Sequence, residues 1–228
     1  MKYIEEESKY EGFSLIEMLI TIVIIGMVML ISSVTLTSLI KVSTVSSNKI
    51  RARNESEFVL ELVRRTVRNS DPSDVYIFNS LGDRKFDYKN NIIDSSGGDL
   101  DTAYEPLGEN DPGNEIHFRP YGYKDWICLA YFESSTEEGK GYILRTSAQD
   151  LMDQHENCFG SPEYVMVLNS DYVDVNLFEI AYTVANDSNY IIRFDIESEP
   201  VDWYLADGAP IKPKVIRQGI VSTEGLIW

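Results

Sequence analysis

Residues 18–40 form a run of 23 positions without one charged side chain, dominated by Ile, Leu, Val and Met. As a helix rising 1.5 Å per residue, the run is about 35 Å long, enough to cross a hydrocarbon layer about 30 Å thick. A core helix of a soluble protein is the alternative. Here every face is apolar, so length and pattern favour a membrane span. A cleavable secretory signal fits poorly, because it requires a basic start, an apolar stretch of about 7–15 residues and a small-residue cut site. The start carries Glu5, Glu6, Glu7 and Glu11 against Lys2 and Lys9, and no Ala precedes Ala52.

The remainder has the composition of a folded protein. The chain has 228 residues, 43% of them hydrophobic and 25% charged, which excludes whole-chain disorder and leaves room for one globular unit beyond the span. Its net charge is −17. Such a chain repels phosphate backbones, so direct nucleic-acid binding is not expected.

Glu17 stands at the start of the apolar run, where a carboxylate near hydrocarbon is costly unless it is paired. It could be a simple membrane-edge charge. Its context is Gly12-Phe13-Ser14-Leu15-Ile16-Glu17, and this string resembles the class III signal of type IV pilins and pseudopilins. The resemblance covers residues 12 to about 40, with weaker patterning to about residue 70. It implies that residues 1–12 are a cytoplasmic leader, cut by a prepilin peptidase between Gly12 and Phe13. It also implies that the new Phe13 amine is N-methylated. Glu17, then the fifth residue, would pair with the Phe13 amine of a neighbouring subunit. Glycine at the cut suits a protease that takes in extended backbone. An ammonium and a carboxylate can satisfy one another in a filament core, where leaving one alone costs about 3–5 kcal/mol. Two features depart from the usual pattern. The leader is net acidic, and Lys41, Lys49, Arg51 and Arg53 follow the span, so the loop charges alone favour the opposite membrane orientation.

Residues 41–69 contain neither Pro nor Gly. Val59, Val63 and Val67 recur every four residues, as do Phe58 and Leu62, which is a helical apolar stripe. Ser70-Asp71-Pro72 ends it. A single helix over residues 13–69 is therefore expected, greasy in residues 13–40 and amphipathic in residues 41–70. Gly26 within the greasy half is either a tolerated small residue, costing about 1 kcal/mol relative to Ala, or a weak point where the helix can bend. Arg64, Arg65 and Arg68 lack interleaved aromatics and read as solvated or head-facing rather than as a nucleic-acid contact.

Residues 71–228 read as a β-rich globular head. Runs at 75–78, 115–119, 126–133, 142–146, 164–168 and 214–221 have strand character, and 175–184 with 190–197 looks like a hairpin. Residues 79–115 are rich in turn formers and read as loop, with room for one short element. The expected fold class is α+β: a long N-terminal helix packed on a mainly antiparallel sheet. From residue 41 onward, 18 basic and 32 acidic residues leave −14, either a solvated acidic surface or a face complementary to a partner subunit. Cys128 and Cys158 could form a disulfide outside the cytoplasm, closing a loop of about 30 residues worth roughly 3–4 kcal/mol, or remain two buried thiols. Asp94, Asp99 and Asp101 lie on a Gly-rich loop that could offer oxygens to calcium, but match no EF-hand spacing and read first as a solvated acidic loop.

No nucleophile, phosphate-binding or metalloprotease motif is present. His155, Glu156 and Cys158 make only half of a metal cluster. The chain therefore reads as a non-enzyme without a cofactor. The pilin resemblance implies a filament subunit, with partners in other pilin subunits, the peptidase, an inner-membrane assembly platform, and membrane lipid before assembly. Before assembly the chain would be a single-pass inner-membrane protein with its head outside the cytoplasm, and afterwards part of a surface pilus or periplasmic pseudopilus. The head size points to a minor subunit, similar in general shape to J-type pseudopilins and W-type minor pilins. The competing reading is a membrane-anchored adhesin or receptor head that never polymerises.

Overall fold

The computed structural model describes residues 12, 14–79, 85–94, 106–149, 158–159, 164–186, 189–201 and 213–223. They comprise one helix, α1 (Leu15–Arg68), and ten strands. The chain divides into two compact units, Met1–Val45 and Ser46–Trp228.

In the first unit α1 has no buried face. Its large apolar side chains from Leu15 to Val42 are exposed, Leu15 by 83% and Val34 by 71%. The hydroxyls of Thr21, Thr35, Thr37 and Thr44 donate to carbonyls one turn back on the same helix. Each is thereby satisfied without water, the condition for a polar group in hydrocarbon. This is one helix long and apolar enough to cross a membrane.

In the second unit the helix becomes one-sided. Ala52, Ser56, Val59, Leu60, Val63 and Val67 are buried, and their spacing of three and four puts them on one face. The expected pairing of Phe58 with this stripe does not hold, since Phe58 is 50% exposed. Phe58 is one residue, or about 100°, away from Val59, and Leu60 fills the core instead. The helix ends where Ser70 starts β1 (Ser70–Phe78).

Two sheets form where one was expected. The larger has seven strands: β1, β2 (Lys85–Asp87), β3 (Ile92–Asp94), β4 (Glu115–Pro120), β5 (Asp125–Ser134), β6 (Gly141–Gln149) and β7 (Met166–Val167). Its pairings are antiparallel except the short parallel contact of β2 with β5. The smaller sheet has the order β10–β9–β8, from β8 (Val173–Asn186), β9 (Asn189–Pro200) and β10 (Val215–Ser222). The expected hairpin is β8–β9, paired from Val173↔Pro200 to Asn186↔Asn189. Residues 79–115 hold two short strands, β2 and β3, among their described positions.

The main core joins Val59, Leu60, Val63 and Val67 of α1 to Ile116, Phe118, Leu129 and Ile143 of the larger sheet and to Phe178, Ile180, Ile192, Phe194 and Ile196 of the smaller. Strand alternation sends the intervening residues to a second cluster on the other face, with Phe86, Trp126, Cys128, Ala130, Phe132, Tyr142, Leu144, Cys158 and Phe159. Polar links fix α1 in place. Ser56 Oγ lies 2.7 Å from Ser198 Oγ, and the Glu55 carboxylate accepts from Ser170 N–H and Oγ–H at 2.8 and 2.7 Å. Gly219 lets β10 pass close to the helix, since a Cβ there would stand 3.1 Å from Leu60 Cδ2.

Cys128 and Cys158 are joined as a disulfide, with Cα atoms 6.2 Å apart and a sequence separation of 30. A second fastening is ionic. Lys140, 4% exposed, donates to Asp171 and, at 3.2 Å, to Glu137, and Tyr142 Oη–H donates to Asp171 at 2.8 Å. Burial alone would disfavour the ammonium. The hydrogen bonds to Asp171, Tyr142 and Glu137 outweigh it and hold the Lys140 pKa above its ordinary value. Hydrogen bonding to Lys140 holds the Asp171 carboxyl below the usual range.

Two outcomes follow from these fastenings. Without divalent metal, Cys128→Ser lowers the stability of the full chain by about 3–4 kcal/mol, read as a lower denaturant midpoint, and reduction of the wild type gives a similar loss. An acid held below its ordinary pKa stabilises the fold above that value, and the contribution is lost as pH falls through the lowered pKa. Stability therefore drops as pH falls below about 4. Asp171→Asn shows a smaller drop across that window and a lower thermal midpoint at neutral pH.

Candidate functional site

The N-terminal end of α1 is set by two residues of the motif. Ser14-Leu15-Ile16-Glu17 has the capping-box spacing, a Ser just before the helix and a Glu at its third position. Glu17 Oε2 accepts from Ser14 N–H at 3.0 Å, and Met18 N–H closes the first helical turn on Ser14 O at 3.2 Å. The Glu17 carboxylate thus satisfies a backbone donor at the positive end of the helix. Reading the sequence for a paired charge missed this local role, although the Ser-x-x-Glu spacing announces it.

Gly12 is exposed, and among the described residues nothing lies within 4 Å of a Cβ built on it. Phe13 lies outside the described residues. At Gly26 α1 continues without interruption, and an added Cβ would meet nothing within 4 Å. Neither packing nor backbone conformation inside the chain calls for glycine there.

The other candidates separate. Asp99 and Asp101 lie outside the described residues, while Asp94 ends β3. His155 and Glu156 also lie outside them. Cys158 meets a different histidine. The register of β4 against β5 sets His117 opposite Cys128, and His117, Cys128 and Cys158 place potential ligand atoms within 4.8 Å of one another. Glu115 Oε1 lies 2.6 Å from His117 Nε2, and both side chains are buried. Sequence spacing could not find this group, because its members meet only through strand pairing and a link across 30 residues. Arg64, Arg65 and Arg68 line, with Glu61 and Asn69, a cavity of about 340 Å³ at the end of α1.

Comparison with known proteins gives a match on the same stretch. Residues 8–33 match the prokaryotic N-terminal methylation motif. No curated protein and no solved structure matches the chain. The matched residues contain Gly12, Phe13 and Glu17 and run on into the exposed apolar half of α1. The chain carries a type IV pilin-like class III signal, at the head of a long apolar helix of the membrane-anchoring kind.

Proposed function

We propose that this protein is a structural subunit, and a minor one, of a type IV pilus or a type II secretion-like filament. The observation that carries the reading is the methylation motif at residues 8–33 set directly on a helix whose large apolar side chains from Leu15 to Val42 are exposed. In this reading the chain is inserted as a single-pass inner-membrane precursor. Prepilin peptidase cuts between Gly12 and Phe13 and methylates the Phe13 amine. The mature chain leaves the membrane by packing residues 13–40 against the same segments of other subunits.

Glu17 is the residue on which assembly turns. In the single chain it caps its own helix. In the filament its charge would neutralise the Phe13 ammonium of a neighbour, so that neither is left alone in a dry core. The two roles differ in what they require. A cap needs only an acceptor oxygen, which Gln supplies as well as Glu. Neutralising an ammonium needs the negative charge.

Two measurements test the proposal. Mass analysis of the protein from its native membrane or cell surface should give a chain beginning at Phe13 with one added methyl group. A chain retaining Met1, in cells with active prepilin peptidase, would overturn the processing step. Glu17→Gln should keep α1 intact and be processed normally, yet fail to enter filaments. Normal incorporation of Glu17→Gln would reduce Glu17 to a helix cap, and normal function of Glu17→Ala without any filament would favour a simple anchored head.

A further inference from the structure

We propose that His117, Cys128 and Cys158 form a zinc site in the dithiol state of this chain, with Glu115 positioning the histidine. The inference does not depend on the pilin reading. Its ground is the company the disulfide keeps. A disulfide needs no polar neighbour, and burying an ionisable pair beside one is costly. Yet His117 and Glu115, 0% and 1% exposed, lie with Cys128 and Cys158, 0% and 2% exposed. Potential ligand atoms of His117, Cys128 and Cys158 all lie within 4.8 Å of one another.

The donor set is the one zinc takes. Thiolate sulfur and imidazole nitrogen bind Zn2+ in structural sites, whereas calcium and magnesium require oxygen ligands. The carboxylate completes the pattern. A histidine that ligates zinc through one ring nitrogen holds a carboxylate or carbonyl with the other, which fixes the ring and makes it more basic. Glu115 Oε1 stands 2.6 Å from His117 Nε2, a contact that orients the ring. The described neighbours are largely apolar: the Phe78 ring is 4.6 Å from the His117 ring, and Phe132 and Phe159 belong to the same cluster as the two cysteines. An apolar shell strengthens metal–thiolate attraction.

The disulfide and the metal exclude one another. A dithiol reductant supplies two electrons and two protons, turning the disulfide into two thiols and leaving as its own disulfide. Zinc then displaces both thiol protons to solvent and binds two thiolates and one imidazole, with a water molecule as the fourth ligand. A newly made chain, not yet oxidised, reaches the same state without a reductant. In either state the segment bearing Cys158 is tied to β5, by sulfur in one and by metal in the other.

The test uses the full-length chain in detergent, reduced with a phosphine and kept free of oxygen. Cobalt should bind one ion per chain, with thiolate charge-transfer bands in the near ultraviolet and intense tetrahedral bands in the visible, and zinc should displace it. Zinc should raise the thermal midpoint of the reduced chain and leave that of the oxidised chain unchanged. Glu115→Gln should lower zinc affinity by about 10–100-fold. His117→Gln should lower it further while still forming the disulfide on oxidation, shown by a mass lower by two hydrogens. Absence of charge-transfer bands in the reduced wild type would overturn the site, as would equal zinc affinity in wild type and His117→Gln. Should His117→Gln fail to fold, the His117 ring resonances of the wild type decide: shifted by zinc, they support the site, and unmoved with zinc bound, they refute it.

Discussion

The rest of this structure depends on apolar surface that the chain cannot bury within itself. From Leu15 to Val42, α1 exposes Leu, Ile, Val and Met on every side. Each such side chain costs about 1.5–3 kcal/mol to keep in water rather than in an apolar medium, so the segment has no stable aqueous state. Lipid can take it, and so can the same segments of other chains. A helix is one of the two structures a spanning segment can adopt, because its backbone groups satisfy each other. The threonine hydroxyls that donate back along the helix extend that self-sufficiency to the side chains. In the proposed function, the segment that begins within the motif at residues 8–33 exchanges lipid for protein neighbours.

After residue 45 the same helix obeys a different rule. Its apolar residues narrow to one stripe, and that stripe is the base on which two sheets meet. Leu60 and Val63 touch a core shared by both sheets, so the sheets are held through the helix as much as through each other. The polar contacts are placed where a slip of one turn would break them. Ser56 meets Ser198 of β9, Glu55 meets Ser170 just before β8, and Glu57 pairs with Arg217 of β10 at 3.4 Å. Apolar packing supplies the attraction, and these contacts select the register.

Much of this was legible in the sequence, for physical reasons that also mark the limits. The helix could be read because its uncharged run, its stripe and the stop at Ser70-Asp71-Pro72 are local signals. The β8–β9 hairpin could be read because two apolar runs flank a short polar loop. The division into two sheets could not, since it depends on which strands share hydrogen bonds across long stretches of chain. Phe58 looked like a core residue by its spacing from Leu62, but burial depends on which side the sheets occupy. Glu17 was noticed for its charge and not for its cap, though both follow from the same six residues. His117 gave no signal at all. Its neighbours Cys128 and Cys158 become neighbours only after β4 has paired with β5 and the chain has closed on itself.

Charge is distributed in a way that bears on how such a subunit could assemble. Residues 41–70 carry seven basic and three acidic side chains, a balance of +4, while residues 71–228 carry eleven basic and twenty-nine acidic, a balance of −18. Cutting after Gly12 would remove two Lys and four Glu, which relieves little of the excess. A filament built only of such chains would stack strongly acidic units along its whole length, and net charge this far from zero opposes self-association. A subunit present in few copies, among neighbours of different charge, escapes that repulsion. Arg65 and Arg68 fall in the last turn of α1, where cations offset the negative end of the helix dipole, but that end is worth only about half a charge. Arg64, Arg65 and Arg68 line one cavity together with Glu61, which pairs with Arg65 at 3.9 Å. The same imbalance that argues against a homopolymer therefore supports the minor-subunit reading.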